Sequence, residues 1–290
     1  MTMRRRFFLQ LGAGALLAPV IKACGKGGDR ATTLPASPEL LALVQQRGYL
    51  RVATEDYYPP FEFLVNDRPN GLDHDLFAQL QQVSPFEVRQ EILPWQPILP
   101  GVAAGEFDVA ITAVVITEER AQSLDFAMPI SETTHFYLKR AQDDTLNSVA
   151  DLATKTLGVQ QGGASETLLT GLEQQLGTPL KALRYGSFDA AYRDLEAGRI
   201  DAVIHNIVSL SIFVNEKPGL FAVGEAVEPR SYAAWAVRKG NQPLLAYLNA
   251  FMAEVRASGE LQRLQQIWLK RTFDLPEQPL LPGDRPLPSA

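Results

Sequence analysis

The order of apolar runs predicts an α/β protein of two lobes, each a mostly parallel sheet flanked by helices. Three observations lead there. The chain has 290 residues, which suits roughly two units of ~100–150 residues each. Short β-rich runs alternate with longer runs of helical spacing, as when parallel strands are joined through helices. The two halves also share a phrase: AGEFDVAI from Ala104 to Ile111 and AGRIDAVI from Ala197 to Ile204, each a helix end, a glycine, a turn and an apolar strand.

The elements follow in order. Residues 50–54 read as a buried strand. Leu72, Leu76, Phe77, Leu80 and Val83 recur at helical spacing and predict a helix over 72–83. Residues 98–104 continue helical and stop at Gly105, a natural C-cap, before a strand over 107–112. The second half repeats the plan: a strand at 156–160, helices at 166–176 and 188–197, and a strand at 200–205. Ligands of open α/β sheets sit beyond the carboxyl ends of the strands, here residues 54–61, 112–120, 160–165 and 205–209. Two facing lobes with such ends form a cleft able to close on a small molecule.

Composition narrows the class. Hydrophobic residues make up 46% and charged residues 21%, which excludes a wholly disordered chain. The net charge of −6 argues against nucleic acid as a partner. Cys24 is the single cysteine, so an intramolecular disulfide and a Cys-rich zinc site are excluded. His74, His135 and His205 stand at no metal-ligand spacing and read as scattered surface or core residues; no metal or cofactor is expected.

The N-terminal residues read as an address. Arg4, Arg5 and Arg6 precede an apolar stretch over 7–21, broken by Gly12, Gly14 and Pro19 and too short to span a bilayer. Arg5-Arg6-Phe7-Phe8-Leu9 resembles a twin-arginine export motif, and Ile21-Lys22-Ala23-Cys24 a lipobox in which Cys24 is lipidated. Removing residues 1–24 takes away four positive charges and no acid, so the net charge falls from −6 to −10. Residues 25–38 read as a flexible tether. The proline-rich residues 275–290 read as a disordered tail.

The strand ends carry the candidate site. Tyr58 stands in a loop stiffened by Pro59 and Pro60, and Trp95 follows a strand; both can stack on a ligand. Thr117 reads as an N-cap with Arg120 in the first turn. A cation is unfavourable at a helix N-terminus, so Arg120 points to a carboxylate sharing the site or, more plainly, to an ion pair with Glu118. Gly162 and Gly163 open a helix and offer backbone N–H groups as an anion nest.

Taken in order, LRVAT (50–54), YPPFEF (58–63), GLDHDL (71–76), Trp95, GEFD (105–108), ITEER (116–120), VQQG (159–162) and AGRIDA (197–202) resemble the family 3 extracellular solute-binding proteins, the amino-acid-type receptors of ABC importers. The resemblance implies a two-lobed, periplasmic binding protein-like (Venus-flytrap) fold, with lobe one over 39–132, lobe two over 133–231 and a return to lobe one over 232–274. It makes Arg120 the carboxylate anchor, and Tyr58 and Trp95 the aromatics that sandwich the ligand. Glu55 matches an acidic position facing ligand. Ala113, Val115 and Ala164 replace side chains that often bond ligand, although the Val115 main chain can still do so.

Asn206 stands where amino-acid binders usually carry the aspartate that pairs with the α-ammonium. Either Glu55 supplies that charge, or the ligand is a carboxylate without an α-ammonium. The implied function is capture of an amino acid or related small organic anion and delivery to an ABC permease in the membrane, by an exported monomer. Two other readings remain: a dehydratase of the same fold, whose acid position holds Ser209, and a receptor serving a separate signalling partner.

Overall fold

The computed structural model describes residue 36 and residues 38–288. The export signal over 1–24, Cys24 and nearly all of the 25–38 tether lie outside the described residues. Pro38 is not tether but the first residue of a helix, Pro38–Gln45. Proline is tolerated there because first-turn N–H groups lack intrahelical partners.

The first sheet orders its strands as Glu87–Leu93, Tyr49–Glu55, Val109–Val115, Tyr232–Arg238 and Leu124–Phe126, with Ser131–Glu132 also paired to Tyr232–Arg238. The second runs Lys181–Tyr185, Thr156–Gln160, Ala202–Asn206, His135–Arg140 and Phe221–Ala226. In each, three parallel strands are followed by antiparallel pairings. The sheets are therefore mixed rather than mostly parallel. Connectivity explains the difference: His135–Arg140 brings the chain into the second sheet and Tyr232–Arg238 brings it back to the first. Both run against the strands joined through helices.

Side chains of successive strand residues point to opposite faces, and both sheets use that alternation to bury two layers. Val52, Ile111 and Ala113 pack with Leu76, Leu248 and Leu261, from helices Leu72–Val83, Gln242–Ala257 and Glu260–Trp268. Ala53, Ala110 and Val114 pack on the other face with Ile98 and Val102 of helix Trp95–Ala104. In the second sheet Leu157, Val159 and Ile204 face Leu169 and Leu172 of helix Ala164–Leu176. Leu138 and Val203 face Ala191, Leu195 and Leu210 of helices Phe188–Glu196 and Ile207–Glu216.

Two stretches of chain join the sheets side by side. Thr133 N–H donates to Ser231 O at 2.8 Å, Ser231 N–H to Thr134 Oγ1 at 3.2 Å, and His135 N–H to Glu228 Oε1 at 2.9 Å. Between them lies a buried pair, His135 Nδ1 to Glu228 Oε1 at 2.5 Å. Burial opposes the Glu228 carboxylate, but His135, the Ser231 hydroxyl and the His135 amide hold it below the ordinary range.

The expected disordered tail is instead ordered. Leu280–Leu281 pairs with Arg285–Pro286 in a hairpin whose turn places Gly283 and Asp284 at positive φ. Leu281 is buried beside Leu124 and Tyr232. Asp284 accepts from Tyr232 Oη at 2.7 Å and from Arg230 Nη2 at 3.3 Å. Prolines bar a helix or a sheet interior, but an edge hairpin anchored by one leucine and one aspartate accommodates them.

Candidate functional site

The C-terminal ends of the parallel strands from both sheets converge on one cavity. Glu55, Tyr58, Trp95, Ala113, Val115 and Arg120 line it from the first lobe. His135, Gln160, Gly163, Ala164, Ser165, Phe188 and His205 line it from the second. Its atom-free space is ≈ 300 Å³, part of it open to solvent. A larger open groove of ≈ 1350 Å³ lies outside it and shares Arg120 and Gly163. Arg120 therefore stands in the wall between the outer groove and the inner cavity.

Arg120 opens a short 3₁₀ turn, Arg120–Gln122, with its own N–H bonded to Thr117 Oγ1 at 3.2 Å. Its guanidinium donates to Val115 O at 2.9 Å and across the cleft to Gly162 O at 3.3 Å. It also lies 5.1 Å from the Trp95 ring centre. Among the described residues no carboxylate forms an ion pair with it, and Glu118 instead faces Arg285 at 3.6 Å. Burial lowers the guanidinium to about 10, so it remains a cation at neutral pH. A half-buried cation met by two carbonyls and an indole ring but by no carboxylate is a ready partner for a ligand carboxylate.

Val115 ends the central strand. Ile116 N–H bonds Tyr232 O at 2.9 Å. Amide directions alternate along a strand, so Val115 N–H faces away from Tyr232–Arg238. Ala113, one pleat earlier, is 2% exposed and adds no donor from its side chain. These two residues and Ala164 give the cavity an apolar floor.

Glu55 closes the first strand and is 2% exposed. Gln160 Nε2 donates to it from the other lobe at 3.1 Å. Burial raises the carboxyl to about 8, against the pull of Gln160 and Arg120. At pH 7 it is mostly a neutral acid that an incoming cation would ionise. Two further buried acids lie behind it: Glu62 is raised by burial to about 9, and Asp73, bonded by Trp235 Nε1 at 2.6 Å, to about 7.

Three expected residues are used differently from the sequence reading. Asn206 does not line the cavity. Its Oδ1 caps helix Ile207–Glu216 by accepting from Ser209 N–H at 2.9 Å, and its Nδ2 donates to Tyr58 Oη at 3.0 Å and Ser209 Oγ at 3.2 Å. A shorter amide at an N-cap is fully consumed by the backbone and its neighbours. Gly162 is no open nest: Glu166 Oε2 takes its N–H at 2.8 Å, so the chain supplies its own anion there. Tyr58 lines the cavity, but its ring stacks on His205, centres 5.7 Å apart, and tilts on Phe61 at 5.1 Å.

The sequence reading missed His135, Gln160, Ser165, Phe188 and His205. Two of the three histidines are cavity residues rather than scattered ones. Gln160 ends one parallel strand and His205 stands one residue before the end of another, so the strand-end rule reached their positions without marking their side chains. Phe188 had no signal beyond its place in an apolar helical run.

Comparison with known proteins agrees with this geometry. The family profile "Bacterial extracellular solute-binding proteins, family 3" matches residues 50–271. The L-cystine-binding protein TcyJ of Escherichia coli (strain K12) is 30% identical over 80% of this chain and 87% of its own length. ABC transporter arginine-binding protein 1 of the same strain is 28% identical over 73% of this chain and 86% of its own. Among solved structures, a mutant of ArgBP from T. maritima superposes with a TM-score of 0.71 at 27% identity, covering 80% of this chain and 99% of that one. The two lobes, the cleft between them and the match over nearly the whole described chain place this protein among the bacterial extracellular solute-binding proteins of family 3.

Proposed function

We propose that the protein is the substrate-binding component of an ABC importer and takes an amino acid or a related small organic carboxylate into the cleft. The observation that carries this reading is Arg120, a half-buried cation without a carboxylate partner among the described residues, facing a cavity built from both lobes. Relatives named for L-cystine and arginine binding support the amino-acid class. The ligand carboxylate pairs with Arg120 and the Val115 N–H, and the ligand body lies against Tyr58 and Trp95. Glu55 supplies the anion for an α-ammonium, because Asn206 carries no charge and stands outside the cavity.

Binding favours the closed arrangement only by the ligand's preference for it, and the closed form docks on a membrane permease. The protein works outside the cytoplasm as a monomer, exported through the signal at 1–24 and anchored through Cys24. The dehydratase reading gains no support, since Ser209 is not an acid and its hydroxyl is bonded to Pro59 O at 2.8 Å. Thermal unfolding of residues 25–290 against amino acids, keto acids and aromatic carboxylates tests the proposal. A ligand at ~100 times its Kd adds about 2.7 kcal/mol and raises Tm by several degrees. No shift with any carboxylate would refute it.

A further inference from the structure

We infer that His205 is a ligand-recognition residue that donates one hydrogen bond through Nε2–H, and that the ligand carries a hydrogen-bond acceptor beyond the carboxylate held by Arg120. The inference rests on the proposed carboxylate-binding function and says what the other end of the ligand must be.

His205 lies at the end of strand Ala202–Asn206 and is 3% exposed. Tyr192 Oη is 2.6 Å from its Nδ1. Burial keeps the Tyr192 phenol far above its ordinary range, and burial together with His135 keeps the imidazole far below its own. The pair is therefore a neutral phenol and a neutral imidazole. If Nδ1 donated, the phenol proton would have no acceptor and the Nε2 lone pair no donor. If the phenol donates, both oxygen and Nδ1 are used and the ring proton sits on Nε2. That second arrangement leaves fewer buried groups unpaired.

The ring is also fixed in orientation. Phe188 stacks on it with centres 3.4 Å apart and planes 13° off parallel. Nε2 is buried and has no partner among the described residues, while the residue lines the same cavity as Arg120. A buried donor without an acceptor is unfavourable. A ligand acceptor placed against it removes that penalty, and an apolar group of the same shape does not. Sites built this way reject analogues that lack the polar atom more sharply than apolar pockets reject a methylene.

The test uses shape-matched pairs in titration calorimetry: L-asparagine against L-leucine, L-threonine against L-valine, and succinate against 4-methylpentanoate. The expected result is a preference of about tenfold or more for the acceptor-bearing member of any pair that binds. In His205→Phe, which keeps the stacking ring and loses the donor, that preference falls to within about threefold. His205→Gln, whose amide nitrogen can stand near Nε2, keeps part of it. Should His205→Phe fail to fold, ¹⁵N spectra of the wild-type histidines decide: the expected signal is an Nε2-protonated ring whose proton exchange slows with the acceptor-bearing ligand. Equal affinities within a pair, or an Nδ1-protonated ring, overturn the inference while leaving the carboxylate site standing. Failure of all six probes to bind overturns the inference, and overturns the carboxylate site with it only if no carboxylate of the wider thermal panel shifts Tm.

Discussion

In the proposed function Arg120 and Glu55 share the two ends of a zwitterion between them, and their chemistry makes separate predictions. Arg120→Ala removes a charge-assisted, two-pronged contact and should weaken the best carboxylate ligand on the order of 100-fold in calorimetry. Arg120→Lys should recover only part of this, because an ammonium cannot grip both oxygens of a carboxylate in one plane. Glu55 predicts a pH dependence. It binds its proton up to about 8 in the free protein, and an adjacent ligand ammonium lowers that value. Binding then releases up to one proton, so affinity for an amino acid should rise by up to tenfold per unit between pH 6 and 7.5. Glu55→Gln should abolish that slope. A flat profile in the wild type would assign the ligand to the class without an ammonium.

At the level of elements, the helices and strands with regular periodicity were legible in the sequence. Helix Leu72–Val83 falls where Leu72, Leu76, Phe77, Leu80 and Val83 place it, since the 3.6-residue period of apolar residues leaves little choice. Helix Trp95–Ala104 begins three residues before the expected start, because Pro97 masks the pattern although a helix tolerates proline in its first turn; Pro100 lies inside the helix. Of the residues that line the cavity, Tyr58, Trp95 and Arg120 were marked in the sequence by strand ends and a proline-stiffened loop, and Glu55 by the family resemblance. The cap made by Asn206 and the Glu166 carboxylate on Gly162 were not, since both depend on which short-range partner wins a hydrogen bond. The tail failed for the same reason: composition speaks of proline, not of Leu281 finding Tyr232. Deleting residues 279–290 should remove Leu281 from its place beside Leu124 and leave the Tyr232 hydroxyl without Asp284, lowering unfolding free energy by about 2–3 kcal/mol in urea.

Over the whole molecule, hydrogen bonds cross the cleft at Asn206 to Tyr58, Gln160 to Glu55, Ser209 to Pro59, Arg120 to Gly162 and Gln96 to Gly186. Tyr58→Phe combined with Gln160→Ala removes two of them from the closed state alone. Scattering should then show a larger mean radius of gyration, and ligand affinity should fall severalfold as closure becomes less favourable. Global stability has its own pH signature. Glu55, Glu62 and Asp73 bind protons more tightly folded, with values of about 8, 9 and 7, than as unfolded carboxyls. Their contribution is complete below the ordinary carboxylate range and is lost progressively as pH rises from there through 7 to 9. Carboxylates held low, among them Glu228, Asp151 and Asp284, act in the opposite direction in more acidic solution. Tm should therefore peak near pH 4–5 and decline by several degrees toward pH 9, with Glu62→Gln flattening the alkaline side.

The paired crossings between the sheets have a further consequence. The second sheet and its helices form one uninterrupted stretch, and the places where it begins and ends, Thr134 and Ser231, touch through a 3.2 Å hydrogen bond. Such a stretch is a cassette: lifting it out leaves two neighbouring cut ends that a short linker can rejoin, and another cassette of the same span can be spliced in at the same seam. Gln160, Phe188 and His205 would travel with it, while Glu55, Trp95 and Arg120 would stay behind. Recombination at that one seam would reassort one wall of the pocket as a block, leaving the carboxylate anchor in place while exchanging the surface that reads the rest of the ligand.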